Sequence, residues 1–226
     1  MPKFGMVIDL EKCTACQSCV VACAVENNLP PGNIDDAQMN RIIRWLKILP
    51  VSDAKGGIFK MSLVPFTCQQ CSRPPCTYVC PVSATYKNPD GIVAQVYWRC
   101  IGCRYCVNAC PYTIKFFNWY EPQNPYKENA NPDVSLRERG VTEKCLFCHH
   151  MLQRAKEDAR YENREIGADE YQPACVEACP TKAIVFGDMD DAQSKMAELS
   201  HSPRAFRFLE ELGTAPNITY LKGTKT

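Results

Sequence analysis

The chain has 226 residues and a formal net charge of +1, with 46% hydrophobic and 23% charged side chains. That length suits one large or two small domains, and the near-neutral charge excludes the basic footprint of a nucleic-acid binder or a polybasic membrane patch. Sixteen of the residues are cysteine. Committed to metal, they leave a modest apolar core, so the metal centres themselves should act as core and the apo-chain should fold poorly.

In chain order, Met1–Leu10 lacks an apolar run long enough for a secretory signal and reads as a strand, Met6–Asp9, entering a cysteine loop. Cys13, Cys16, Cys19 and Cys23 follow at C-x2-C-x2-C-x3-C spacing, with a helix expected through Val20–Glu26. Asn27–Asn40, rich in Pro, Asn and Asp, reads as a long surface loop. The most apolar stretch, Ile42–Val51, is broken by Arg44, Lys47 and Pro50. No stretch reaches the roughly 18 apolar residues a membrane helix needs. A second group, Cys68, Cys71, Cys76 and Cys80, carries two extra residues in its middle. Asn88-Pro89-Asp90-Gly91 is a turn signal between two β-rich runs, the second being Ile92–Val96.

The third group, Cys100, Cys103, Cys106 and Cys110, repeats the spacing of the first, with a helix over Val107–Cys110 and a strand over Ile114–Asn118. Asn118–Asp133 is a second long surface loop. The fourth group, Cys145 and Cys148 then Cys175 and Cys179, is split by 26 residues holding a charged, solvated helix, Met151–Glu165. A strand begins at Ala183. The tail is expected to form helices over Asp191–Leu199 and over Pro203–Leu212, the latter capped by Ser202 and stopped by Gly213. Ile218–Leu221 then adds an edge strand or docks on a partner.

The spacing is that of bacterial ferredoxins, where the fourth Cys of a run ligates the other cluster of a pair. A cubane cluster presents four irons, each wanting one soft thiolate. Three cysteines at two-residue intervals curl a loop around one face, with backbone N–H groups aimed at the sulfides. The fourth corner faces away, so its ligand comes from elsewhere. Proline after three of the closing cysteines (Pro81, Pro111, Pro180) ends the intervening helical turn. Zinc ribbons use separated pairs, disulfides suit secreted scaffolds, and a redox C-x2-C needs one pair. None of the three accounts for this array as well as four clusters do.

Exchange of fourth ligands predicts the sets. Cys13, Cys16, Cys19 and Cys179 form the first, and Cys23, Cys145, Cys148 and Cys175 the second. Cys68, Cys71, Cys76 and Cys110 form the third, and Cys80, Cys100, Cys103 and Cys106 the fourth. The fold class expected is α+β: two bacterial-type 2[4Fe-4S] ferredoxin-like domains, one inserted in the other. The outer domain takes residues 1–62 plus 140–190 and the inner one 63–118. Residues 119–139 connect them, and 191–226 form a helical C-terminal tail.

Other residues carry weaker signals. His149 and His150 follow Cys148, where a plain surface role is the simpler reading, and His201 stands apart. Lys12, Arg99, Arg104 and Lys144 flank ligands, and positive charge there would raise a reduction potential; solvation and salt-bridging explain them equally well. Tyr105 and Tyr112 suggest packing against a cluster. No glycine-rich phosphate loop, Ser/His/Asp set or paired carboxylates stand out, so no catalytic site is expected on the chain.

Together with Cys100-Ile-Gly-Cys-Arg-Tyr-Cys-Val-Asn-Ala-Cys-Pro-Tyr and Glu143-Lys-Cys-Leu-Phe-Cys-His-His, this arrangement resembles the four-cluster iron–sulfur subunits of the dimethyl sulfoxide reductase superfamily. It is most similar to those of polysulfide reductase, alternative complex III and the quinone reductases of sulfate reducers, over residues 1 to about 190. The resemblance implies a non-catalytic electron-transfer subunit of a respiratory complex. Its partners would be a large molybdopterin-type subunit and a multi-helix, quinone-binding membrane subunit, with a cytochrome subunit as a further candidate. It implies that the first set lies nearest the catalytic subunit and the fourth nearest the membrane. Relatives that replace the residue matching Cys103 carry a [3Fe-4S] cluster there; this chain keeps all sixteen cysteines. The expected place is peripheral on the membrane, at the periplasmic face by co-export with a partner, with the cytoplasmic face as the alternative. A soluble polyferredoxin serving a hydrogenase or dehydrogenase, and a zinc-stabilised scaffold, are the competing readings.

Overall fold

The computed structural model describes residues 3–53, 60–122, 127–167 and 170–223. Their strands are β1 (Phe4–Asp9), β2 (Leu46–Asp53), β3 (Lys60–Thr67), β4 (Thr85–Lys87), β5 (Val93–Gln95), β6 (Phe116–Phe117), β7 (Thr142–Glu143), β8 (Ile184–Asp188), β9 (Ala205–Phe206) and β10 (Ile218–Leu221). The helices are α1 (Ser18–Glu26), α2 (Ile34–Gln38), α3 (Pro75–Tyr78), α4 (Tyr105–Asn108), α5 (His149–Tyr161), α6 (Ala174–Glu177) and α7 (Lys195–Ser200).

Both ends of the chain build the main sheet, in the order β8-β1-β10-β9. β1 runs antiparallel to β8 and parallel to β10. Five consecutive buried residues in β1, Gly5 to Asp9, mark it as an interior strand rather than an alternating surface one. The expected strands at Met6–Asp9 and after Ala183 are therefore present and paired. Ile218–Leu221, expected at an edge, lies inside the sheet instead, because β9 covers its outer side.

β9 also replaces the expected helix over Pro203–Leu212, of which only one 3-10 turn, Glu210–Leu212, is helical. The local cap signal lost to tertiary contact. Phe206 and Phe208 sit 5.7 and 4.7 Å from the Tyr220 ring, and Phe208 sits 5.6 Å from Phe66. A helix would break that aromatic alignment, worth about 0.5–1.5 kcal/mol per pair beyond area burial. The expected helix over Asp191–Leu199 shortens to α7, which Ser194 caps by accepting a bond from the Ala197 N–H.

The apolar run near Ile42–Val51 becomes β2, which pairs along its length with β3. The Asn88–Gly91 turn joins β4 to β5, with Gly91 at φ 77° and its N–H donating to Asn88 O. The strand expected at Ile114–Asn118 contracts to β6, paired with β7.

The two segments read as surface loops are laced together. Asn28 Nδ2 donates to Asn131 O and Val134 O at 2.9 and 2.7 Å, and Asn131 N returns a bond to Asn28 Oδ1 at 2.7 Å. Below them Arg137 and Glu143 form a fully buried pair at 3.2 Å, shared with the Trp45 indole N–H at 2.9 Å. One apolar cluster joins Met6, Ile8, Trp45, Phe147 and Tyr220 to Cys19, Cys23, Cys68, Cys71, Cys175 and Cys179. Thiols are thus part of the packed interior.

Candidate metal centres

Cysteines far apart in the chain come together in the fold. Cys13, Cys16, Cys19 and Cys179 line one cavity, beside Pro180. Cys68, Cys71, Cys76 and Cys110 line another, beside Pro111 and Tyr112. Cys23 is pushed well up in pKa by burial and then by the nearby Cys145, Cys175 and Cys148. The Asn27 side-chain amide spans two of these four, 3.8 Å from Cys23 Sγ and 3.7 Å from Cys148 Sγ. In each case a closing cysteine stands with a run other than its own. Around the remaining cysteines, α3 packs on α4, and Cys106 shares an apolar cluster with Cys76, Val93, Val79 and Val107.

The backbone explains how short loops present so many thiols. The residue before the second cysteine of each run has a left-handed conformation: Ala15, Gln70, Gly102 and Phe147. At Gly102 a Cβ would strike the Gly140 carbonyl, so no other residue fits there without a backbone shift. Successive residues twisted this way turn N–H groups inward, toward an anion.

A second device follows the three Cys-Pro steps. Ser83, Thr113 and Lys182, each three residues after its cysteine, are left-handed at φ 50°. Each donates its N–H back to that cysteine's carbonyl, at 3.2–3.3 Å. The next N–H is then free to reach sulfur: Ala84 donates to Cys80 Sγ at 3.2 Å and Ala183 to Cys179 Sγ at 3.3 Å. Sequence reading missed this turn; the shared C-P-x-x spacing was its only trace.

Helix starts contribute as well. The N-cap positions Gln17, Arg104 and Cys148 are left-handed and make no side-chain cap bond. First-turn N–H groups left without a cap are donors for an anion, and the Ser18 N–H donates to the Cys16 sulfur.

Electrostatics ask for a cation. Burial first, then neighbouring cysteines, push Cys19 up to about 11 and Cys148 up to about 12. Burial and then Cys68 push Cys71 up to about 12. Cys80 and Cys179 go the other way: burial works upward, but the hydrogen bonds they accept outweigh it and hold both below the ordinary thiol value. Four thiolates around one cavity repel one another unless positive metal sits between them. Among the described residues no group of three or more His, Cys, Asp or Glu is disposed to hold a single metal ion. The grouped thiols face a volume, and with inward N–H groups this donor set fits a polynuclear iron–sulfur cluster.

The remaining candidates differ from expectation in several places. His149 is half-buried, with Nε2 2.9 Å from both Asn88 Nδ2 and Gln153 Nε2, and His150 lies 2.7 Å from Glu26 Oε1, so neither is a plain surface histidine. His201 is exposed. Tyr112 is buried, its hydroxyl 2.6 Å from Thr214 Oγ1, whereas Tyr105 is exposed and packs on no core. Lys12, Arg99 and Arg104 are exposed; Arg99 stacks on Trp98 and Arg104 on Phe117 and Trp119. Lys144 is buried completely, and with it Lys115, which sequence reading passed over.

Comparison with known proteins agrees with this chemistry. Residues 59–124 and 99–183 each match a family described as a 4Fe-4S dicluster domain. The chain is 47% identical to the menaquinone reductase iron-sulfur cluster-binding subunit of Nitratidesulfovibrio vulgaris, over 97% of this chain and 88% of that one. It is 32% identical to the arsenate respiratory reductase iron-sulfur subunit of a Shewanella species, over 99% of each. It is 34% identical to one of the chains of polysulfide reductase from Wolinella succinogenes, over 96% of this chain and 92% of that one.

Proposed function

The chain belongs to the iron–sulfur subunits of the dimethyl sulfoxide reductase family, and from that premise we propose that it is the four-cluster wire of a respiratory complex. It relays electrons between a large molybdopterin-type catalytic subunit and a quinone-reactive membrane subunit. The sixteen cysteines divide into the four sets predicted from the exchange rule, each of which would hold one cubane cluster and so supply a one-electron carrier. The two ferredoxin-like units nest, with the second and third cysteine groups inside the first and fourth. The protein sits peripherally on the membrane, at the periplasmic face, carried there by an exported partner. No described helix is long and apolar enough to cross a membrane, so attachment runs through the membrane partner.

The observation that carries this reading is the gradient of thiol burial. The first set includes the exposed Cys16 and the fourth the exposed Cys103. Every cysteine of the second and third sets is buried or half-buried. A relay needs two terminals open to partners and a protected middle, and the exposure of Cys16 and Cys103 beside buried inner sets supports that reading. Exposed large hydrophobic residues neighbour the fourth set's cysteines in the chain: Trp98 is 81% exposed, and Tyr78 and Ile101 are exposed as well. Such a patch marks a protein–protein contact.

Iron, acid-labile sulfide and zinc per chain test the proposal. About sixteen irons with matching sulfide and no zinc are expected for four cubanes, and about fifteen with one three-iron cluster. About four zincs with almost no iron would remove the electron-transfer reading altogether. Purification from membranes with a catalytic and a membrane partner is expected; a freely soluble monomer active with soluble donors would sink the relay.

A further inference from the structure

Among the described residues, two lysines are buried without an acidic partner. Lys144 is 0% exposed, and its Nζ donates to the Val93 and Cys145 carbonyls. Lys115 is 4% exposed, and its Nζ donates to Thr85 Oγ1 at 2.8 Å and Gln95 Oε1 at 3.3 Å. Among the described residues no carboxylate lies within ion-pair distance of either. The contrast with Arg137, buried to a similar degree but paired with Glu143, is direct. Neutral acceptors satisfy the N–H groups of a buried ammonium but leave its charge uncompensated, a costly state in a low-dielectric interior.

The missing counter-charge has an evident location. Both lysines line the cavity formed by Cys68, Cys71, Cys76 and Cys110. Both also act on Cys76 as nearby positive charge. Lys115 reaches further, to Cys80 and Cys110, and Lys144 to Cys145, its chain neighbour. Each ammonium therefore stands between two adjacent cysteine sets: Lys144 between the second and third, Lys115 between the third and fourth.

We propose that Lys115 and Lys144 are the internal counter-ions of the protected clusters and hold their reduction potentials up. This rests on the four-cluster reading above. Reduction adds an electron, and so negative charge, beside a fixed positive one; the reduced form gains more from the lysine than the oxidised form does. The sign follows: removing the charge lowers the potential. The third cluster feels both lysines and is the most raised by them, whereas the first has neither. The lysines thus offset part of the penalty that burial places on reducing the dry middle of the wire.

The test is a mediated redox titration followed by EPR on the full-length holoprotein and on Lys115→Met, Lys115→Gln, Lys144→Met and Lys144→Gln. Each neutral form should reduce at least about tenfold less favourably at the affected clusters, which is about 59 mV lower for one electron. Lys115 variants should shift the third and fourth clusters, Lys144 variants the second and third, and the first should stay fixed in all four. Unmoved midpoints in variants that keep their iron overturn the proposal, as do equal shifts at all four clusters. Should the neutral forms fail to assemble, Lys115→Arg and Lys144→Arg decide. Clusters retained with the charge and lost without it support the role; clusters lost in both overturn it. Iron content of the unsubstituted protein separates this outcome from failure of the four-cluster reading itself.

Discussion

At Thr113 a β-branched side chain sits at φ 50°, exposed, in the turn that follows Cys110-Pro111. A left-handed backbone costs an L-residue roughly 1–2 kcal/mol, and the cost is highest for β-branched ones. The conformation persists because it lets the Thr113 N–H donate to the Cys110 carbonyl at 3.3 Å. It also turns the Ile114 amide toward Cys110, where it works against the upward push of burial on that thiol's pKa. Thr113→Gly should keep that bond and relieve the strain, for a net gain of about 1 kcal/mol after glycine's own entropy cost. Thermal loss of the cluster colour should then move up by about 2–4 °C. Thr113→Pro demands a φ near −65° and should yield protein short of iron. Equal behaviour of the two variants would show that the left-handed turn has no part in holding the site.

The strand β10 shows what an element can contribute beyond its own length. Four residues, all buried, fill the gap between β1 and β9. The approach to this strand also serves the interior: Thr214 meets Tyr112, Asn217 N–H bonds the Gln69 carbonyl, and Ser72 donates to Asn217 Oδ1 at 2.8 Å. Ile218, Tyr220 and Leu221 each bury a large apolar side chain, at about 1.5–3 kcal/mol apiece. Their sum approaches the whole stability of a typical domain, about 5–15 kcal/mol. A chain ending at Leu212 is therefore expected to lose all four clusters, not only those near the tail. Normal iron content in that truncated form would mean the sheet closes without β10. Tyr220→Ala, a milder break, should cost about 3–5 kcal/mol, as large aromatic deletions from cores do.

Across the whole molecule the thiols are both cargo holders and core. Six buried cysteines belong to the main apolar cluster, whereas Cys16 and Cys103 are exposed. Limited oxidation with ferricyanide should therefore take iron first from the sets containing Cys16 and Cys103. A three-iron EPR signal should appear while the sets of Cys23 and Cys68 remain intact. Earlier loss from the protected sets would contradict the burial gradient.

The metal chemistry was legible in the residues alone, because cluster coordination is local. Three cysteines within seven residues can curl around one face only, and the fourth must leave. The presence of β1 and β8, the Asn88–Gly91 turn and α1 was equally legible, with ends off by one or two residues, since each is dictated by its own periodicity or turn residues. Other features depended on what lay across the fold. Pro203–Leu212 carries a sound helix start, yet Phe206 and Phe208 pack on Tyr220 and Phe66, and the segment extends. Asn28 and Asn131 look like loop residues until the Asn28 side chain bonds the Asn131 backbone across 103 positions. Lys115 gave no signal at all: a lone lysine in Tyr-Thr-Ile-Lys-Phe is unremarkable until the tertiary structure removes its water and places it among thiols. Local coordination and turn chemistry were set by sequence neighbours. Burial, and with it the electrostatics of the wire, was decided by residues far apart in the chain.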